Sequence, residues 1–313
     1  AKLYHEAGLP AGAMNVVYGR GSEIGDDLVA DLRVRAVGFT GSARVGRHVQ
    51  SLCGSRGKRV TLELGGKNPL IVLADADLDA AVSAAIRGGF IYQGQICMAS
   101  GRVIVEEEVS DAFTQRFVAA TQTVGSGDLT DPNTMIGPII DEQARNRLRD
   151  LISDALRNGA TALCGNRWIK NTLNPTVLTG VSKASKIYFE ETFGPIVTIE
   201  TAQNRQHAIE LANDSPGILS AAVFTSNLDS AMSVADSLRT AMVHVNDMTI
   251  QQEPEVPFGG DDAAGFGREG GETFILSWKR ETAAAFIGHS GCGTDCARLG
   301  ISLVSGRAIK LLA

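Results

Sequence analysis

The feature that most limits the fold is the alternation of short apolar segments with amphipathic ones through the first 75 residues. The apolar segments are rich in β-branched residues, as strands are, and the intervening segments carry apolar residues at helical spacing. Strands that alternate with helices form βαβ units around a mostly parallel sheet. We therefore predict an α/β fold with strands at 14–19, 34–41, 58–66 and 69–75 and helices at 22–32 and 43–53.

A second α/β run occupies the middle of the chain and ends at a glycine-rich stretch, 257–271. Its predicted helices are 142–159, 207–214 and 230–240, and its predicted strands are 162–165, 174–181, 196–201, 220–225 and 241–247. Between the two runs, Cys97 falls in a loop that follows a helix begun by Asp75 or Asp77 and precedes a strand at 102–107. Loops held between rigid elements commonly display reactive groups.

Composition and charge exclude several classes of function. The chain has 313 residues, a net charge of −6, no long basic block and no run of eighteen apolar residues. These properties argue against nucleic acid and against a membrane as partners. Five scattered cysteines make no disulfide framework, which favours a reducing, cytoplasmic location. A zinc site at Cys292 and Cys296 is disfavoured because no second Cys or His pair stands nearby.

Cys97 is the first candidate for chemistry. It lies in the segment FIYQGQICMASGR, between small and polar residues rather than in an apolar run. A free cysteine is usually a buried structural thiol. Small neighbours would instead let a substrate reach the sulfur, and a thiolate there would be a good nucleophile if its pKa were lowered.

Glu63 is the second candidate, and it ends an otherwise apolar strand just before Gly65 and Gly66. A carboxylate is costly to bury unless it is paired or used in chemistry, and glycines let a flat ligand or another backbone come close. The residue is therefore either a salt-bridged strand end or a general base.

Two further segments could bind a phosphorylated ligand. In FTGSARVG, 39–46, a strand runs through Gly41 and Ser42 into a helix whose free N–H groups suit a phosphate, although the serine could serve for capping alone. In EETFGP, 190–195, adjacent acids point to opposite sides if the chain is extended. Glu191 could then accept hydrogen bonds from ribose hydroxyls while its neighbour faces solvent; a solvated turn is the alternative.

The segments FTGS, ELGGK, QGQIC, EETFGP and PFGG…GFGREGG, in this order and spacing, resemble the NAD(P)-dependent aldehyde dehydrogenase superfamily. The likeness runs from Ala1 to about Gly271. It implies part of a Rossmann-like cofactor domain followed by an α/β catalytic domain. On this basis we divide the chain into a cofactor-binding part at 1–66, a catalytic domain at 67–260, and a glycine-rich bridge with an atypical tail at 261–313.

The resemblance also implies a mechanism and its residues. Cys97 would add to an aldehyde to form a thiohemiacetal, which loses a hydride to NAD or NADP and becomes a thioester. Glu63 would be the general base for the water that hydrolyses it. Gly41, Ser42, Gly65, Glu191 and Phe193 match positions that contact the cofactor in the family. The form NDMT…EP…PFGG is similar to members that oxidise aromatic aldehydes, such as salicylaldehyde or vanillin dehydrogenases.

The resemblance leaves other functions open. Family members carry a long segment before the position of Ala1, with an Asn that helps bind the oxyanion and a Lys that binds the adenosine ribose. The family is homo-oligomeric, yet the strand used for subunit pairing is not evident after Gly271. The alternatives to a dehydrogenase are a non-catalytic remnant of the family and a thiol-dependent esterase.

Overall fold

The structure is a computed structural model that describes residues 2–270 and the backbone of Phe286–Ile287 and Leu311–Leu312, which pair as parallel strands. Its helices are α1 (Lys2–Glu6), α2 (Gly21–Ala30), α3 (Ala43–Ser55), α4 (Leu78–Phe90), α5 (Glu107–Gln122), α6 (Glu142–Arg157), α7 (Lys186–Phe189), α8 (Arg205–Asn213) and α9 (Leu228–Ser237). Its strands over residues 2–270 are β1 (Ala36–Gly41), β2 (Arg59–Leu64), β3 (Asn68–Val72), β4 (Ser100–Glu106), β5 (Gly125–Ser126), β6 (Thr134–Ile136), β7 (Thr161–Cys164), β8 (Trp168–Ile169), β9 (Thr172–Leu173), β10 (Thr176–Thr179), β11 (Ile196–Ala202), β12 (Ala221–Phe224), β13 (Val243–Val245) and β14 (Gly265–Phe266).

The larger sheet has seven strands in the order β13-β12-β3-β4-β11-β10-β7, all parallel except β7. Every residue of β3 and all but the last of β4 are buried, as expected for central strands covered on both faces. Successive residues point to opposite faces: Leu70 packs with α4 and α5, whereas Ile71 packs with α8 and α9. The result is a three-layer unit with a core on each side of the sheet.

The smaller sheet has the order β1-β2-β14. Its first two strands are parallel, joined through α3, and β14 returns antiparallel to β2. Val49 and Cys53 of α3 pack on Leu62 and Leu64 of β2. Strands β1 and β2 and helix α3 of this α/β unit lie within residues 1–66, the part that the sequence analysis assigns to cofactor binding.

Most predicted elements are confirmed, but one strand is not. The segment 14–19 forms no strand, and Val16, Val17 and Tyr18 are mostly exposed. A β-branched composition favours a strand only where a neighbouring strand supplies hydrogen-bond partners. In the part of the chain that the structure describes, no strand pairs with residues 14–19. Helix α5 was not predicted, although it buries Phe113 and Phe117.

The chain path brings two sheet edges together. Gly65, Gly66 and Lys67 connect the carboxyl end of β2 directly to the amino end of β3. Since β3, β4 and β11 are parallel neighbours, the segments that precede β4 and β11 also lie at this edge. Loops from both sheets therefore meet in one region.

Candidate functional site

A cleft of about 700 Å³ lies where the two sheet edges meet. It is lined by Thr40, Gly41, Ser42, Glu63, Gly65, Gln95, Ile96, Cys97, Arg147, Glu191 and Phe193. All seven residues that the sequence singled out are among them. Because their segments are far apart in the chain, only the fold brings them together. Cys97 and Glu63 thus line a common cavity.

Glu63 is a buried acid without a partner. Its side chain is 3% exposed, and neither carboxyl oxygen has a hydrogen-bond partner among the described residues. Burial raises the pKa of Glu63 to about 8; the negative charge of Glu269 adds to the rise, and Arg268 opposes it. Among the residues that the structure describes, Glu63 therefore forms no salt bridge, which does not support the predicted alternative of a salt-bridged strand end. A carboxyl with such a pKa suits proton transfer near neutral pH.

Cys97 is half-buried in the loop between α4 and β4. Burial raises the pKa of its thiol, and the charges of Glu191 and Glu63 raise it further. The backbone N–H groups of Cys97 and Met98 partly oppose this rise in the pKa. The thiol is therefore reachable, but burial and the neighbouring carboxyl groups disfavour its ionisation.

The loop before Cys97 has an unusual backbone. Tyr92, Gln93 and Gly94 all have left-handed φ angles, of 53°, 59° and 64°. Glycine adopts such angles without strain, whereas tyrosine and glutamine do not. A Cβ on Gly94 would lie 2.3 Å from the carbonyl oxygen of Gly194, so the Cys97 loop packs backbone against backbone on the segment that carries Glu191. Strained backbone of this kind is concentrated at functional sites.

Glu191 projects into the cleft, and its neighbour Glu190 is exposed, as the alternation of side chains predicts. One oxygen, Oε1, has no hydrogen-bond partner among the described residues. Burial raises the pKa of Glu191 to about 7, against the opposing charges of Arg147 and Lys67. An added Cβ on Gly65 would come within 2.0 Å of Oε1. The missing side chain at this glycine thus makes room for the carboxyl group.

The amino end of α3 forms another wall of the cleft. Ser42 is its N-cap, and the hydroxyl oxygen accepts a hydrogen bond from the N–H of Val45 at 3.4 Å. Gly41 packs against the ring of Phe39, whose Cζ would be 2.6 Å from an added Cβ. Ser42 therefore caps the helix and also lines the cleft, so the two predicted roles are compatible.

These features fit a dinucleotide. The helix end offers free N–H groups and positive potential to a diphosphate. The orphaned Oε1 of Glu191 can accept a hydrogen bond from a ribose hydroxyl. Gly65 makes room for the carboxyl group of Glu191, and Phe193, with a φ of 47°, adds an apolar surface to the cleft. The residues present can thus hold both the diphosphate and the nicotinamide ribose of NAD or NADP.

Sequence reasoning missed Arg147 and Gln95. The guanidinium of Arg147 donates to the backbone carbonyls of Glu191 and Thr192, which holds that segment at the cleft. Gln95 accepts a hydrogen bond from the N–H of Ile140 at 3.0 Å. Arg147 belongs to the charged helix α6, where nothing in the sequence distinguishes an arginine that faces the cleft from one that faces solvent.

Some predictions concern residues that the structure does not describe, and others concern a metal site or a membrane-spanning helix. Cys292, Cys296 and the segment in which no pairing strand was evident lie outside the described residues. Among the residues that the structure does describe, no group of three or more His, Cys, Asp or Glu could hold a metal ion. No described helix has both the length and the apolar character needed to cross a bilayer.

Comparison with known proteins gives the family. The model of the aldehyde dehydrogenase family matches residues 1–282. Vanillin dehydrogenase from Corynebacterium glutamicum is 42% identical over 277 residues, which cover 88% of this chain and 57% of that protein. The chain thus spans little more than half the length of the curated relatives that it matches.

Solved structures agree in fold. The crystal structure of a salicylaldehyde dehydrogenase from Pseudomonas putida G7 complexed with salicylaldehyde matches with a TM-score of 0.84 and 40% identity, over 88% of this chain and 57% of that one. The NADP-dependent glyceraldehyde-3-phosphate dehydrogenase from Bacillus halodurans C-125, complexed with NADP, matches with a TM-score of 0.84 and 37% identity, over 89% and 58%. The predicted fold class is confirmed.

Proposed function

This chain belongs to the aldehyde dehydrogenase family, and we propose that its cleft oxidises an aldehyde to the carboxylic acid with NAD or NADP. The observation that carries the proposal is that Cys97 and Glu63 line the same cleft as the residues that could hold a dinucleotide. A buried carboxyl group with no partner is destabilising, and its presence beside a reachable thiol is explained by use in catalysis.

The residues of this chain support each covalent step. The Cys97 thiolate forms an S–C bond to the aldehyde carbon, and the carbonyl oxygen becomes an oxyanion. When bound, NAD or NADP supplies the acceptor for the hydride that this carbon loses, which leaves a thioester on Cys97. Glu63 accepts a proton from water as the water attacks the thioester. The acid is released, and the thiol regains a proton.

The roles proposed for the cofactor-binding residues follow from the same cleft. Gly41 and Ser42, at the amino end of α3, would bind the diphosphate. Glu191 would accept hydrogen bonds from the nicotinamide ribose, with Gly65 and Phe193 beside the nicotinamide. Arg147 would orient Glu191 through the backbone carbonyl groups that it binds.

An aromatic aldehyde is the proposed class of substrate. Two similar proteins are a vanillin dehydrogenase and a salicylaldehyde dehydrogenase solved with salicylaldehyde. In this chain, Met98, Leu219 and Phe258 form an apolar cluster against which Ile96 and Cys97 pack. An apolar ring next to the sulfur would be favoured by burial in such surroundings. We also propose a cytoplasmic location, since the mechanism requires a reduced Cys97.

The experiment is to incubate the purified chain with NAD or NADP and vanillin, salicylaldehyde, benzaldehyde or hexanal, and to follow absorbance of the reduced nicotinamide. We expect turnover with the aromatic aldehydes and a loss of about 10³-fold or more in Cys97→Ser, as for other nucleophile deletions. Cys164→Ser, which changes a partly buried thiol on β7, is the matched control and keeps the activity.

The same assay separates the alternatives. Hydrolysis of p-nitrophenyl acetate that depends on Cys97, without any nicotinamide reduction, would identify a thiol-dependent esterase and overturn the proposed oxidation. If the folded protein showed neither nicotinamide reduction nor ester hydrolysis, the remaining alternative would be a non-catalytic remnant of the family. Equal activity in the wild type and Cys97→Ser would refute the assignment of the nucleophile.

A further inference from the structure

The loop between α4 and β4 has two halves that are held by different means. In the second half, the carbonyl groups of Cys97 and Ala99 accept hydrogen bonds from Nδ2 of the buried Asn68, at 2.8 Å and 3.1 Å. The carbonyl of Met98 accepts one from the buried hydroxyl of Thr249 at 2.6 Å. Side chains from β3 and from the segment after β13 therefore fix this half to the core.

The first half of the loop is strained. Tyr92 and Gln93 lie in the left-handed region, with φ of 53° and 59° and ψ of 31° and 26°, and Gly94 follows with φ of 64°. Residues other than glycine are unstable there, and such a conformation persists only where the surrounding structure imposes it. Burial does not impose it on Tyr92, whose side chain is 61% exposed. Other contacts must therefore hold this half.

Two glutamines connect the strained half to the segment that precedes α6. Oε1 of Gln95 accepts a hydrogen bond from the N–H of Ile140 at 3.0 Å. The amide of Gln93 satisfies both of its ends in one orientation, in which Oε1 accepts from the N–H of Gly137 at 2.9 Å and Nε2 donates to the carbonyl of Tyr92 at 3.0 Å. The N–H of Gln95 also closes the turn by donating to the carbonyl of Tyr92 at 3.0 Å.

The segment that provides the N–H for Gln95 is fixed independently of the loop. Ile139 is buried and packs with Leu148 and other residues of α6, and its N–H donates to the carbonyl of Asn171 at 2.9 Å. The next residue, Ile140, has an exposed side chain and donates its N–H to Gln95. The donor that Gln95 binds therefore belongs to a well-packed part of the fold.

We propose that Gln95 is a positioning residue for the nucleophile: its carboxamide oxygen holds the first half of the loop in a left-handed conformation that this backbone would otherwise leave. Cys97 lies two residues after Gln95, where the two halves join. Asn68 fixes the carbonyl side of Cys97, but the direction of a side chain also depends on the backbone that enters from the nitrogen side. Gln95 holds that side, and with it the place of the sulfur in the cleft.

The first test measures hydrogen–deuterium exchange of the peptide that contains Gln95, in variants of the full chain. Gln95→Leu removes the acceptor at similar volume. Tyr92→Asn reduces the strain, because asparagine tolerates left-handed angles better than tyrosine, and little burial is lost at this exposed position. Gln206→Leu is the matched control, since it removes an exposed glutamine amide of α8 that binds the side chain of Glu210.

We expect Gln95→Leu to raise the exchange rate of this peptide about fivefold, as the loss of one hydrogen bond implies. Adding Tyr92→Asn should lower the rate again by about the same factor, because relaxation of the loop then relieves less strain. Gln206→Leu should leave the rate unchanged. An unchanged rate in Gln95→Leu, or no slowing when Tyr92→Asn is added, overturns the proposal. If Gln95→Leu does not fold, Gln95→Ser replaces it, because the shorter side chain cannot reach the N–H of Ile140.

Alkylation of Cys97 by iodoacetamide, followed by mass spectrometry of the peptide that contains Cys97, tests the position of the sulfur. A displaced thiol differs in access and reactivity, so we expect the rate in Gln95→Leu to differ from that of the wild type by about threefold or more. The rate should return toward that of the wild type when Tyr92→Asn is added. A wild-type rate of alkylation in spite of faster exchange would make Gln95 a purely structural residue and overturn its positioning role.

The catalytic consequence rests on the proposed function, whereas exchange and alkylation need neither aldehyde nor dinucleotide. In an active chain, we expect Gln95→Leu to lower kcat for the aldehyde by about tenfold or more. Adding Tyr92→Asn should restore part of it, and because Tyr92 does not line the cleft, this recovery cannot come from a new ligand contact. No recovery of kcat would overturn the proposal. An inactive chain with the expected exchange and alkylation would refute the oxidation and keep the role of Gln95.

Discussion

The Cys97 loop and the Glu63 side chain lie on the same cleft but are held in place by different means. In the loop, each carbonyl from Cys97 to Ala99 accepts a hydrogen bond from a buried side chain. Glu63 is more deeply buried, yet neither of its carboxyl oxygens has a partner among the described residues. In the loop all three carbonyl groups are bound, whereas the functional oxygens of Glu63 form no hydrogen bond to any residue that the structure describes.

This difference corresponds to what each group must do. A nucleophile must be presented in one orientation, and hydrogen bonds to its backbone fix that orientation without occupying the sulfur. A general base must keep its oxygens free for a water proton, so bonds from the protein would compete with its function. The free carboxyl reduces stability at any pH where the unfolded chain ionises it, because the folded protein must then either retain the proton or bury a charge without compensation.

The largest predicted effect is that of Glu63→Gln. We expect kcat for aldehyde oxidation to fall by about 10²–10⁴-fold, the usual cost of losing a general base. Unlike the wild type, the variant buries no charge at pH 9. Its free energy of unfolding there should be higher by up to about 5 kcal/mol, as follows from a pKa raised to about 8 from 4.5. Steady-state kinetics and denaturant unfolding measure the two effects.

The sign of the stability effect follows from the raised pKa. Below about pH 4.5 the carboxyl is protonated in both the folded and the unfolded chain, so the substitution changes little. The stability of the wild type decreases as the pH rises toward about 8, the pKa of Glu63 in the folded protein. The variant has no ionisable group at this position, so its stability does not decrease for this reason. Glu255→Gln, at an exposed carboxylate, is the control and should change neither quantity. A variant that loses activity and is also less stable at pH 9 would show that Glu63 has a structural partner.

Much of this site could be predicted from the sequence because its segments resemble, in order and spacing, those of the aldehyde dehydrogenase family. That resemblance, and not local composition, implied that Cys97, Glu63 and Glu191 belong to one site. The contacts of Asn68 could not be predicted, since a residue between Lys67 and an apolar strand gives no sign of which carbonyl groups it binds. The wrong strand at 14–19 has a related cause, because strand formation depends on a partner that local composition does not report.

The second prediction concerns the pH dependence of the wild type. Both groups act in their deprotonated forms, burial raises the pKa of the Cys97 thiol, and the pKa of Glu63 is about 8. The ionised fraction of Glu63 alone rises about tenfold from pH 7 to pH 9. We therefore expect kcat to rise at least about tenfold over this interval. A flat profile between pH 6 and pH 9 would contradict the role of Glu63, since the base would already be ionised at pH 6.

The smallest predicted effect is that of Gly65→Ala, which extends the comparison to Glu191, the other cleft carboxyl with an unpartnered oxygen. The added methyl group would lie 2.0 Å from Oε1, so the flexible carboxyl must move. Loss of one hydrogen bond to the ribose would raise KM for the dinucleotide by about fivefold, with little change in the alkylation rate of Cys97. Gly54→Ala is the matched control, because in α3 an added Cβ at that position meets no atom within 4 Å. If KM rose equally in both variants, or if Gly65→Ala slowed alkylation of Cys97 as strongly as it weakened dinucleotide binding, the carboxyl of Glu191 would not be an independent ribose ligand.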